Sequence, residues 1–165
     1  LNTVHGALSA PVVEMDGTLD KYIGDSLMAF WNAPLDVGDH AAKAAEAALR
    51  MREALSRLNH AGSFGLPGGT EVRIGIGIHT GIACVGNVGT PDRLNYSAVG
   101  DTVNTAARIE AACKDLTTDI LVSGRTAHLI PQFRTRLAGE VRLRGKSHAD
   151  QVFFLEGRAP ENDLT

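Results

Sequence analysis

The sequence predicts an α+β or α/β domain, with helices packed on a mainly antiparallel sheet, and three observations carry that expectation. Residues 36–60 form an Ala/Leu-rich run with helical spacing. After it come Val72, Ile74, Ile76 and Ile78, alternating with Arg73, Gly75, Gly77 and His79 as a strand would. Near the start, two short apolar runs meet at Gly24-Asp25, the composition of a hairpin tip. With 165 residues, 44% hydrophobic and 21% charged, one globular domain can bury a core without disulfide or metal staples.

Each element has a local reason. Leu1, Val4, Leu8, Val12 and Met15 stand at near-helical spacing, and Pro11 removes a backbone donor and predicts a kink. No helix-start signal precedes them, so the chain reads as a fragment whose beginning lies upstream. "TLDKYIGD" and "SLMAFWNAP" are the hairpin strands, with Trp31 expected at the domain edge. In the long helix, Ala41, Ala44, Ala48, Met51, Leu55 and Leu58 keep one apolar face, and "AGSFGLPGGT" then reads as a surface loop. "EVRIGIGIHTGIACVGNVG" has one face stripped to glycine, which marks a place where a backbone, side chain or ligand comes close.

Gly100-Asp101 opens a second amphipathic helix, with Val103, Ala106, Ala107 and Ile109 available for burial. "DILVS" is a strand, "SGRTAHLI" a helix, and "FRTRLAGEVRLRG" and "DQVFFLE" the last two strands. The domain is expected over 1–156, and 157–165 reads as a polar tail.

The bulk numbers narrow the function classes. A net charge of −3 and the lack of a dense basic block make nucleic acid an unexpected partner. Cys84 and Cys113 have no CxxC spacing, which fits reduced thiols of a cytoplasmic protein. No apolar stretch approaches the ~20 residues that span a bilayer, so no membrane contact is expected from this chain.

Taken singly, the polar residues are ambiguous. Asp25 after Gly24 is an ordinary turn aspartate or a Mg²⁺ ligand lifted clear of the sheet. Lys21 is a solvated strand lysine, or a partner for Asp20 or Asp25. The glycine-rich segment does not have P-loop spacing, and His79 reads as a structural histidine. Asn104 and Arg108 are one helical turn apart on one face, where they are either a polar outer surface or a pair that addresses a sugar and a phosphate.

Three stretches in order, "GTLDKYIGDSLMAFWNAP", "RIGIGIHTGIACVGNVGTPDRLNYSAVGDTVNTAARIEAA" and "LRGKSHADQVFFL", resemble the successive motifs of class III nucleotidyl cyclases, the adenylate and guanylate cyclase catalytic domain. The resemblance runs from about Leu1 to Leu155 and is of the bacterial adenylate cyclase type. It implies a ferredoxin-like βαββαβ core with additional helices and strands, and a head-to-tail homodimer with two shared nucleotide sites. It implies ATP as substrate, cyclic AMP and pyrophosphate as products, two divalent ions (Mg²⁺ or Mn²⁺), and a regulatory domain upstream.

By position, Asp25 matches a metal aspartate and Lys21 the lysine that reads the adenine ring. Ser97 matches the second purine-reading residue, Asn104 the ribose-orienting one, and Arg108 the transition-state arginine. Arg144 falls where relatives carry a lysine for the terminal phosphates.

Two positions depart from the pattern. The first metal aspartate of the family belongs to an N-terminal strand that this chain does not include, and Asp16 and Asp20 sit in another element. A phosphate-binding arginine of some relatives is Gly75 here, with Arg73 on the same strand face as a substitute. The alternatives to an adenylate cyclase are a degenerate cyclase-homology module that dimerises without catalysis, and a guanylate cyclase, against which Lys21 argues.

Overall fold

A computed structural model describes residues 2–142 and 149–160. Its elements run α1 (Asn2–Glu14), β1 (Thr18–Ile23), β2 (Ser26–Phe30), α2 (His40–His60), β3 (Ile76–Ile78), β4 (Cys84–Thr90), β5 (Arg93–Val99), α3 (Asp101–Asp115), β6 (Ile120–Ser123), α4 (Gly124–Leu129), β7 (Phe133–Arg142) and β8 (Ala149–Arg158). The result is a mixed α+β chain in which antiparallel pairing dominates, as expected. It divides into two compact units, Leu1–Ile74 with Val85–Ala98, and Gly75–Cys84 with Val99–Thr165.

In the first unit, α1 packs on α2 and on the β1–β2 hairpin. The α1 helix continues through Pro11 to Glu14, and its buried face is Leu8, Pro11 and Val12. Opposite, α2 buries Ala41, Ala44, Ala45, Ala47 and Ala48, whose small side chains let two helices approach closely, with Leu49, Met51 and Leu55 filling the remaining space. Each fully buried Leu or Val contributes about 1.5–3 kcal/mol. Leu58 is only half-buried and α2 starts at His40 rather than at residue 36. Trp31 is half-buried, not at a bare edge, and its Nε1 donates to the Met15 carbonyl at 2.9 Å.

The β1–β2 hairpin turns at Gly24, whose φ of 62° explains the glycine. Its register passes from Leu19↔Ala29 to Lys21↔Met28, so Asp20 is left without a partner in the ladder, as at a β-bulge.

In the second unit a four-stranded sheet has the order β3-β6-β8-β7, with β3 parallel to β6 and the other pairs antiparallel. Helix α3 packs across β3, β6 and β7, and α4 across β6 and β8. The core under α3 is Ile109, Cys113, Leu121 and Val152. Burial raises the Cys113 thiol to about 11, so it stays a neutral packing group.

Four sequence expectations are corrected here. The strand expected from Val72 begins only at Ile76, because the Asn59 side-chain amide takes both backbone groups of Val72, accepting from its N–H and donating to its carbonyl at 2.9 Å each. That leaves Val72 no ladder bonds to make. Arg73 therefore lies before the strand, not on a strand face shared with Gly75. On α3, Ala107 is exposed and the buried stripe is Thr105, Ile109 and Cys113. Strand β8 runs on to Arg158, which pairs with Phe133, so Gly157 and Arg158 are sheet residues.

Gly75, just before β3, and Gly77 within it are explained by the close approach of α3 rather than by a ligand. A Cβ at Gly77 would lie 2.5 Å from the Ala106 carbonyl oxygen, and one at Gly75 would lie 3.0 Å from the Cys113 Cβ. Both glycines exist so that α3 can sit directly on the strand.

Candidate active site

The residues singled out in the sequence fall in both units. In the first, Lys21 and Asp25 are exposed on the β1–β2 hairpin, Lys21 late in β1 and Asp25 at the tip. They form no ion pair with each other. The Lys21 ammonium instead lies 3.7 Å from Asp20 Oδ1. The Asp20 side chain, fully buried, accepts through Oδ2 from the Ser97 hydroxyl at 2.7 Å and from the Ala98 N–H at 3.3 Å. Ser97 is 1% exposed. Asp20 was one of the two partners the sequence offered for Lys21, and it also joins Lys21 to Ser97. The available signal was Asp20-Lys21 itself, since successive strand residues point to opposite faces and a hairpin packed on one face turns one of the two charges inward.

In the second unit, α3 begins after Gly100 and carries Asp101, Asn104 and Arg108 on one face. Together with Ala107 and Ala111 these line an open depression of about 590 Å³. The amide and guanidinium thus share one accessible surface. The N-terminal end of α3, through the helix dipole, favours negative charge nearby. His79 lies just past β3, with Nδ1 2.9 Å from the Ser123 hydroxyl, which also caps α4 by accepting from the Thr126 N–H at 3.2 Å. That is the structural role expected of it. Arg144 lies outside the described residues.

Among the described residues no three His, Cys, Asp or Glu side chains cluster as a ready-made metal site. Mg²⁺ bound with a nucleotide needs only one or two carboxylates, the rest of its shell being phosphate oxygens and water. The exposed Asp25 carboxylate at the hairpin tip fits one such ligand.

The sequence model of the adenylate and guanylate cyclase catalytic domain matches residues 1–157. The chain belongs to this family. It is 41% identical over 151 residues to adenylate cyclase 1 of Rhizobium meliloti (strain 1021), an alignment covering 90% of this chain and 22% of that protein. The chain thus spans about a fifth of that curated relative. Its fold is similar to the crystal structure of the adenylyl cyclase CyaB from P. aeruginosa, with a TM-score of 0.84 and 29% identity over 96% of this chain and 81% of that one. It is also similar to the non-canonical dimeric guanylyl cyclase domain of the RhoGC fusion protein from the aquatic fungus Blastocladiella emersonii, with a TM-score of 0.76 and 26% identity over 96% of this chain and 82% of that one. Relatives of both nucleotide types share the fold, so the base preference rests on individual residues. Cyclase domains of this class are metal-dependent. No helix among the described residues is long and apolar enough to cross a membrane.

Proposed function

We propose that this chain is the catalytic domain of an adenylate cyclase, working as a head-to-tail homodimer in the cytoplasm. The observation that carries the reading is Lys21 held beside the buried Asp20 on the same hairpin that lifts Asp25 into solvent. A lysine ammonium only donates hydrogen bonds, so it suits the N1 acceptor of adenine and not the N1–H of guanine.

In the reaction the ribose 3′-oxygen attacks the α-phosphorus of ATP, the bond from that phosphorus to the bridging oxygen breaks, and pyrophosphate leaves with that electron pair. The 3′-hydroxyl proton is lost to water, and 3′,5′-cyclic AMP remains. Asp25 would hold divalent metal, two Mg²⁺ or Mn²⁺ ions by the family pattern, which when bound lowers the pKa of the 3′-hydroxyl and steadies the phosphates. Asn104 orients the ribose, and Arg108, on the same face, meets the negative charge that grows on the phosphates in the transition state. Arg144 contributes to the terminal phosphates. In the dimer Asp25 serves one site and Lys21 the other.

The test is product analysis with the protein at its natural full length, supplied with ATP or GTP and Mn²⁺ or Mg²⁺. Cyclic AMP from ATP, with little cyclic GMP from GTP, is expected. Binding of ATP with no cyclic product at concentrations where the protein is dimeric would make it a cyclase-homology module instead.

A further inference from the structure

We propose that Asp20 and Ser97 are a positioning pair that holds the Lys21 ammonium where it reads the purine, with Ser97 acting through Asp20 rather than by touching the base. The proposal deepens the adenylate cyclase reading above and rests on it.

A carboxylate taken out of water is costly unless it is hydrogen-bonded and paired. Asp20 has no exposed side-chain surface, and its two oxygens are treated unequally. Oδ2 accepts from Ser97 Oγ and from the Ala98 N–H, at 2.7 and 3.3 Å, which fixes the carboxylate plane. Oδ1 is buried and accepts no hydrogen bond, while the Lys21 ammonium stands 3.7 Å from it. The charge on that oxygen is therefore answered by Lys21, whose side chain stays 47% exposed. Consecutive side chains of a strand point to opposite faces, so the Asp20 side chain is buried while Lys21 is exposed, and the break in register between Leu19 and Lys21 leaves Asp20 without a ladder partner.

Ser97 has a single hydroxyl proton, and of its two acceptors Asp20 Oδ2 at 2.7 Å is much nearer than the Ala98 carbonyl at 3.5 Å. At 1% exposure the residue has almost no surface left for a ligand. Lys21 is thus the member of the trio that solvent, and a nucleotide, can reach. A lysine stem left to itself samples many rotamers, whereas one drawn to a fixed carboxylate presents its remaining donors in one direction. Discrimination between adenine, with an acceptor at N1, and a 6-oxopurine, with N1–H, then depends on Asp20 holding Lys21 and on Ser97 holding Asp20.

The experiment measures kcat/KM for ATP and for inosine triphosphate with the full-length protein and its Asp20→Asn, Ser97→Ala, Ser97→Thr and Asp20→Asn/Ser97→Ala variants, with melting temperature recorded for each. Asp20→Asn keeps the shape and removes the charge, and it should lower the ATP-to-inosine-triphosphate ratio about tenfold, mainly through a higher KM for ATP. Ser97→Ala should lower the ratio less, Ser97→Thr should keep it, and the double variant should match Asp20→Asn alone. If Asp20→Asn does not fold, Ser97→Ala and Ser97→Thr still read the ratio. Variants that lose stability or activity equally toward both nucleotides would overturn the proposal. Additive losses in the double variant would show that Ser97 meets the base itself, and would overturn it too. Each of those outcomes leaves the cyclase intact, whereas a wild-type protein that cyclises neither nucleotide removes the cyclase reading and this proposal together.

Discussion

On the β1–β2 hairpin, Lys21 stands beside a carboxylate that is itself buried and held by Ser97 and Ala98, whereas α3 presents Asn104 and Arg108 from a helix whose backbone rests directly on Gly75 and Gly77. The hairpin places its functional side chain by charge and hydrogen bonds, and α3 places its pair by steric fit. Charge-based placement is adjustable, because a changed partner shifts one side chain and leaves the strands paired. Steric placement is all or nothing, because a helix seated on glycine has no room to yield. A residue that tunes which nucleotide is accepted belongs on the first kind of support. One that must meet the reacting phosphate every time belongs on the second.

Substitutions on either side can break this contrast. Asp25→Ala removes the hairpin's metal carboxylate at an exposed tip, so cyclic AMP formation should fall below detection with an unchanged melting temperature, as read by product assay and thermal melt. On α3, Arg108→Ala should lower kcat by about 10²–10³-fold with little change in stability, since only the transition-state charge loses its donor. Gly77→Ala tests the steric support itself. Its Cβ would meet the Ala106 carbonyl and the Glu110 backbone, so unfolding in denaturant should show a loss of about 3 kcal/mol, with activity falling alongside. A Gly77→Ala protein of normal stability would mean that α3 is not seated as described.

The smallest expected effect lies on β7 and β8. There Arg136 at 2.7 Å, and then Arg134 at 3.4 Å, hold the Glu156 carboxyl below the usual range. A carboxyl depressed on folding stabilises the protein above its unfolded value, near pH 4.3, and the benefit disappears as pH falls through the folded value. Glu156→Gln should therefore lower the melting temperature slightly at pH 7 and hardly at all near pH 3. The difference should be small, because these arginines are more than half exposed and solvent screens the pair.

Much of this was legible before the structure. Gly24-Asp25 announced its turn, because only a left-handed residue closes that hairpin so tightly. The alanine face of α2 and the Asn104/Arg108 spacing followed from helical period alone. What escaped the sequence depended on contacts distant along the chain. Nothing local to Val72 says that Asn59 will take its backbone groups and delay β3 until Ile76. The glycines of β3 announced a close approach but not that the visitor would be α3. Ala107 was counted with the buried face, although Thr105, Ile109 and Cys113 define a stripe that excludes it. Asp20 was offered only as a partner of Lys21, because nothing local says that Ser97 and the Ala98 N–H, far along the chain, meet its carboxylate.

The central claim is that one hairpin serves two nucleotide sites, Asp25 in one and Lys21 in the other. Its most direct test mixes two inactive full-length variants, Lys21→Ala and Asp25→Ala, and measures cyclic AMP after subunit exchange, with differently tagged chains copurified to show that heterodimers form. Each heterodimer would have one intact site, so an equal mixture should recover roughly a quarter of wild-type activity. Activity no greater than that of the two variants assayed separately, with heterodimers present, would contradict the account.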